Sequence, residues 1–144
     1  MDELILRMMR WGRQGYGCSQ ILLLLGLEMR GEENAGLVRA MAGLAYGCGS
    51  GQTTCGALSG ACCLLAYLAA GDSDAYRPAE QLPVLLQELT DWFDERVDAV
   101  HGGITCEAIV GEAGPAASRQ TCGTLVAEAY AKVMEILGGH AMAV

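Results

Sequence analysis

Apolar residues recur at helical spacing along nearly the whole chain, and clusters of glycine break that rhythm at intervals. This pairing leaves little room for a sheet. Leu4, Ile5, Met8 and Met9 share one face of a first helix, which Gly12 and Gly15 are expected to close. From Cys18 to about Met29 the chain is apolar nearly all round (Ile21 to Leu25, Leu27), so this second helix should be central. A third helix is predicted from about Glu32 to Tyr46, with Leu37, Met41 and Leu44 on one side. Gly47, Gly49 and Gly51 then demand a loop, and Thr54 to about Ala70 forms a fourth helix, stopped by Gly71–Asp74. A fifth runs from Pro78 to about Val100 on a stripe of Leu85, Leu86, Leu89, Trp92, Phe93 and Val97, and ends at His101–Gly103. A short turn of helix begins at Cys106, Gly111–Pro115 reads as a loop, and a final helix spans about Thr121 to Leu137 before Gly138 and Gly139. Runs such as Ile104–Thr105 are too brief to build a sheet. The prediction is an all-α bundle of five to six helices with short glycine-rich loops, in a single domain over residues 1–144.

Composition narrows the function. A chain of 144 residues can bury a proper core without cross-links. Hydrophobic residues reach 52% against 18% charged, an apolar excess that predicts a homodimer with a covered interface. A formal net charge of −8 with no basic stripe argues against nucleic acid as a partner. Neither the run Ile21–Leu27 nor Ala57–Ala70 reaches the ~18–20 residues that cross a bilayer. The opening MDELILRMMRW carries two acids and no small-residue cleavage site, unlike a secretory signal. A cytoplasmic, reducing setting follows, where seven cysteines are expected to be ligands or redox groups rather than a disulfide framework.

Four of the seven, Cys18, Cys55, Cys106 and Cys122, fall where helices should begin. A helix N-terminus carries partial positive charge and unpaired N–H groups, which favour a thiolate. Thr54-Cys55-Gly56-Ala57-Leu58 and Thr121-Cys122-Gly123-Thr124-Leu125 share the form T-C-G-x-L, and Thr105-Cys106 repeats its start. In each, Thr is expected to cap and Cys to take the first helical position. Four converging thiolates suit either zinc or an iron–sulfur cluster. The four lie far apart in sequence, without the close C-x₂₋₄-C pairs typical of structural zinc. A metal-free thiol–disulfide pair, most plausibly Cys55 with one partner, is the alternative, although no C-x-x-C is present.

Other features read more plainly. Cys62 and Cys63, in mid-helix, are expected as core filling, with Cys62 on the face of Cys55 two turns on. Cys48 in the glycine loop is either an extra ligand or a resolving thiol. His101 should cap the fifth helix, and His140 falls in the tail without a role. The Gly47–Gln52 loop lacks the G-K-[ST] of a nucleotide loop. Asp91, Asp94, Glu95 and Asp98 form a solvated acidic face.

These positions together resemble a family of redox-active proteins labelled by the cysteine pattern C…GCAxxG…C…C. Gly17-Cys18, then Cys55-Gly56-Ala57-Leu58-Ser59-Gly60, then Cys106 before Gly111, then Cys122 carry the resemblance across essentially the whole chain. It implies a small redox protein using Cys18, Cys55, Cys106 and Cys122. A related helical segment in split-Soret cytochromes is associated with an iron–sulfur centre, so the resemblance also implies that cofactor and electron transfer. Relatives often carry Asn before the first cysteine, where this chain has Gly17. Cys48, Cys62 and Cys63 lie outside the four-cysteine pattern.

Overall fold

The computed structural model describes residues 2–71 and 76–142. Asp2 opens α1 (Glu3–Arg13) by accepting the Leu4 N–H at 2.7 Å, and the helix runs through Gly12 to end before Gly15, at φ 96°. It buries Met8 and Trp11 and leaves Met9 exposed. The central helix is α2 (Cys18–Arg30), and its all-round apolarity has a simple cause. Leu22 and Leu25 enter the main core, while Leu23 and Leu27 turn the other way to pack on Val38 and Met41 of α3 (Ala35–Met41).

The predicted third helix is shorter than its periodicity suggests. Asn34 accepts the Leu37 N–H at 3.0 Å and so starts α3 late. The chain tightens to 3₁₀ geometry over Ala42–Leu44, then reverses hand: Tyr46, Gly47, Cys48 and Gly49 all have positive φ, from 55° to 81°. Two of these residues carry side chains, at a cost of about 1–2 kcal/mol each.

Next is α4 (Gly56–Ala69), followed by α5 (Leu82–His101), α6 (Cys106–Val110) and α7 (Arg119–Gly139). The expected stop after the fourth helix begins with Gly71, at φ 66°, and continues into residues outside the described ones. Pro83 sits in the opening turn of α5, where its missing N–H costs no helical bond. Leu85, Leu89, Phe93 and Val97 of α5 are fully buried, while Leu86 and Trp92 only flank the core. The predicted Gly111–Pro115 loop is a 3₁₀ turn, Gly111–Ala113, followed by a single helical turn at Gly114–Ala117.

α4 lies in the middle, against α2, α5 and α7. Its Leu64, Leu65 and Leu68 meet Leu125, Ala129, Val133 and Ile136 of α7 and the α5 stripe in one continuous core. At ~25 cal/mol per Å² of apolar surface removed from water, this core dominates stability. Outside it, Arg96 of α5 grips Glu128 of α7 through two bonds of 2.6 and 3.0 Å. His140 is not idle: its ring contacts Glu88 at 2.9 Å and ties the end of α7 to α5. The architecture is all-α, with five long helices and two short ones among the described residues. None of these helices is long and apolar enough to cross a membrane.

Candidate functional site

Each pattern cysteine stands at or near a helix start, though the capping differs from expectation. Cys18 is the first residue of α2, behind Gly17. Gln20 reaches back to accept the Gly17 N–H at 3.0 Å, the N3 half of a capping box. A side chain at position 17 would not fit, since its Cβ would lie 2.6 Å from Ala45 Cβ. Cys106 opens α6 behind a true Thr cap, with Thr105 Oγ1 accepting the Ala108 N–H at 3.1 Å. Cys55, by contrast, is itself the N-cap of α4, and Cys122 lies one turn inside α7.

The first two Thr-Cys pairs have a further use. Thr54 and Thr105 form an isolated antiparallel bridge. The Cys55 N–H donates to Ile104 O at 2.7 Å and the Cys106 N–H to Thr53 O at 3.1 Å. The short Ile104–Thr105 run is therefore half of a two-stranded clasp that sets Cys55 beside Cys106. A backbone bond at Cys55 also explains why α4 starts later than Thr54.

Glycines bring Cys18 to the same place. A Cβ at Gly56 would collide with Cys18 Sγ, and it would lie 3.2 Å from Leu44 O. One turn on, a Cβ at Gly60 would lie 2.7 Å from Ser19 Cα. Ser19 is fully buried and donates to Met41 O at 2.7 Å, which fixes α2 in this position. The left-handed turn closes the other side. Gly47, at φ 60°, presses so near the clasp that a Cβ would lie 2.7 Å from Thr53 O and 3.0 Å from Cys106 Cβ.

Cys55 and Cys106 are buried, and Cys18 and Cys122 half-buried. All four are free thiols. Burial pushes the Cys18 thiol up, against N–H bonds from Tyr46, Ser19 and its own backbone. Cys55 is pushed up to about 12, first by burial and then by Cys18, Cys122 and Cys106, while the Ala57 N–H pulls the other way. Cys122 rises to about 11 through burial, Cys18 and Cys106, and Cys106 rises through burial and Cys18. Two conclusions follow. Charge on Cys18, Cys106 or Cys122 burdens Cys55, and charge on Cys18 burdens Cys106 and Cys122. The expected ease of ionisation at helix starts is also reversed, because loss of water outweighs the helix-end N–H groups.

Cys48 sits on the outer side of the left-handed turn, exposed. Cys62 and Cys63, expected in the core, are half-buried along a shallow groove, and burial lifts Cys62 to about 11. Among the described residues, no three Cys, His, Asp or Glu side chains stand close enough to hold a single metal ion. What sequence reasoning missed is the left-handed turn at Tyr46 to Gly49 and the Gly60–Ser19 contact. The close spacing of Gly47, Gly49 and Gly51 was the one signal for the first.

A helical bundle that seats Cys18 against Gly56 and Cys55 beside Cys106, two of its four pattern thiols buried and two half-buried, defines the class of this protein. The chain belongs to the family described as "Putative redox-active protein (C_GCAxxG_C_C)", whose profile matches residues 16–136. That match begins after α1. No curated protein and no solved structure matches the chain. The run Cys55-Gly56-Ala57-Leu58-Ser59-Gly60 of this chain thereby acquires a physical meaning: Cys55 supplies a sulfur, Gly56 makes room for the Cys18 sulfur, and Gly60 admits the α2 backbone.

Proposed function

We propose that this protein holds an iron–sulfur cluster through Cys18, Cys55, Cys106 and Cys122 and serves in electron transfer. The observation that carries this reading is the gathering of four thiols whose ionisation is costly without a cation beside them. A thiophilic metal reverses that cost, because a coordinated thiol is deprotonated outright. The donor set is all sulfur, the softest set that side chains provide. Among the described residues these donors do not form a ready-made site for a single ion, and the cluster reading rests on the chemistry of the all-sulfur set.

When bound, the cluster supplies a one-electron redox couple. The chain's own residues do the rest. Backbone groups of Tyr46 and Ser19 favour the charged form of Cys18, and that of Ala57 favours the charged form of Cys55. The Thr54–Thr105 clasp and the Gly47 turn exclude water around Cys55 and Cys106. Cys48, on the outer surface of that turn, is left out of the set.

A metal-free thiol–disulfide exchange using a pair of these cysteines is the second reading, favoured by the seating of Cys18 Sγ over Gly56, next to Cys55. It is the weaker one, since the attacking species is the thiolate and burial disfavours it here. The two separate on anaerobic purification. A brown protein with iron and acid-labile sulfide supports the first; a colourless protein with a reversible disulfide supports the second. We also propose a reducing, cytoplasmic setting and a homodimer, in keeping with seven free thiols and an apolar composition; light scattering on the purified protein tests the dimer.

A further inference from the structure

Cys55 and Cys106 are buried, so electrons leaving them pass through a thin wall of protein. One wall borders a groove of about 590 Å³ between the start of α4, the clasp and α5. Its floor is Leu58, Cys62 and Cys63, and Leu44 and Ile104 close its sides. This lining is bonded directly to the site. Ile104 O accepts the Cys55 N–H at 2.7 Å, and the N–H groups of Leu58 and Ser59 donate to Cys55 O at 3.0 and 3.1 Å.

The rim is acidic. Asp91 and Asp94 of α5 border the groove, exposed, with Glu95 and Asp98 beside them on the same helix. Among the described residues no lysine or arginine lines it, and the nearby Arg96 is held by Glu128. An apolar floor beside a one-signed rim is the anatomy of a small, transient interface steered by charge.

We infer that this groove is the docking surface for a redox partner protein that presents a lysine- or arginine-rich patch around its own exposed redox group. The inference rests on the electron-transfer reading, but its test reads docking alone. Cytochrome c, a basic haem protein, serves as the probe. It is titrated at low ionic strength into the isotope-labelled, anaerobically purified protein, and backbone amide shifts are followed.

The shifts should centre on Thr54, Leu58, Cys62, Thr90, Asp94 and Ile104 and vanish as salt shortens the range of the charges. D91K/D94K should weaken binding by about tenfold or more, and D91N/D94N by less in the same direction. E3K/E33K makes the same change in net charge away from the groove and should leave affinity within about twofold. Helical circular dichroism confirms that each variant is folded. Shifts centred on residues 46–52, shifts spread evenly, or equal weakening by E3K/E33K would each overturn the inference. Iron analysis of the same sample judges the cluster separately, so the two failures are distinguishable.

Discussion

The two halves of α4 solve the same packing problem with opposite residues. Its C-terminal half fills space: Leu64, Leu65 and Leu68 are fully buried among side chains of α2, α5 and α7. Its N-terminal half makes space: Gly56, Ala57, Gly60 and Ala61 let the α2 backbone and the Cys18 sulfur come to within contact. Both halves bury their residues, yet only one positions chemistry. Stability and site geometry are therefore separable along a single helix.

The largest effect expected from breaking this comparison is in the leucine half. Leu64→Ala should lower unfolding stability by about 2–5 kcal/mol, the range for a large core side chain replaced by a methyl. Urea denaturation reads the loss, and cysteine-dependent iron content per folded molecule should not change. In the glycine half, Gly60→Ala should cost about 1–3 kcal/mol, because the atom it meets is backbone at Ser19 and cannot swing aside. Gly56→Ala should fall in the same range but act on the site, displacing Cys18 Sγ and lowering iron content. If both glycine variants kept full iron, the division between the halves would fail.

Titration sharpens the same contrast. In the reduced, metal-free protein, Cys55, Cys62 and Cys122 hold their protons up to about 12, 11 and 11, against an ordinary value of 9.0. The folded state thus binds these protons more tightly than the unfolded chain does. Their contribution to stability is complete below pH 9.0 and is lost as the pH rises through 11 to 12. Urea midpoints should therefore fall from pH 9.0 upward. Leu64→Ala, which keeps every thiol, should show a parallel fall.

The smallest effect belongs to the turn that covers the site. Cys48→Gly should gain about 1 kcal/mol, since glycine relieves the positive φ of 55° that cysteine carries there. Iron content should be unchanged. A loss of iron in this variant would bring Cys48 into the ligand set.

The helices that hold this comparison together were readable in sequence because each has a strong period. Leu85, Leu89, Phe93 and Val97 repeat every four residues, and all are buried. Central placement of Cys18–Met29 followed from apolarity on every face, and both faces are indeed covered. The four pattern cysteines were legible as helix starts, for Cys18 and Cys106 to the residue.

What the sequence hid was nonlocal. No period marks the Thr54–Thr105 bridge, which pairs residues about a third of the chain apart. Ala42 to Tyr46 continues a helical pattern, yet from Tyr46 the chain reverses hand and packs Gly47 against Thr53 and Cys106. The ionisation of the cysteines was misjudged for a related reason. Helix-end charge is visible in sequence, whereas burial depends on what packs over the sulfur.

The central claim is that four cysteines form one cluster site. Its most direct test is iron and acid-labile sulfide analysis of anaerobically purified protein, alongside Cys18→Ala, Cys55→Ala, Cys106→Ala, Cys122→Ala and, as a control, Cys63→Ala. The account predicts iron and sulfide together in the parent and in Cys63→Ala, with loss in each of the four pattern variants. A colourless parent protein without iron, or four variants that retain it fully, would contradict the account.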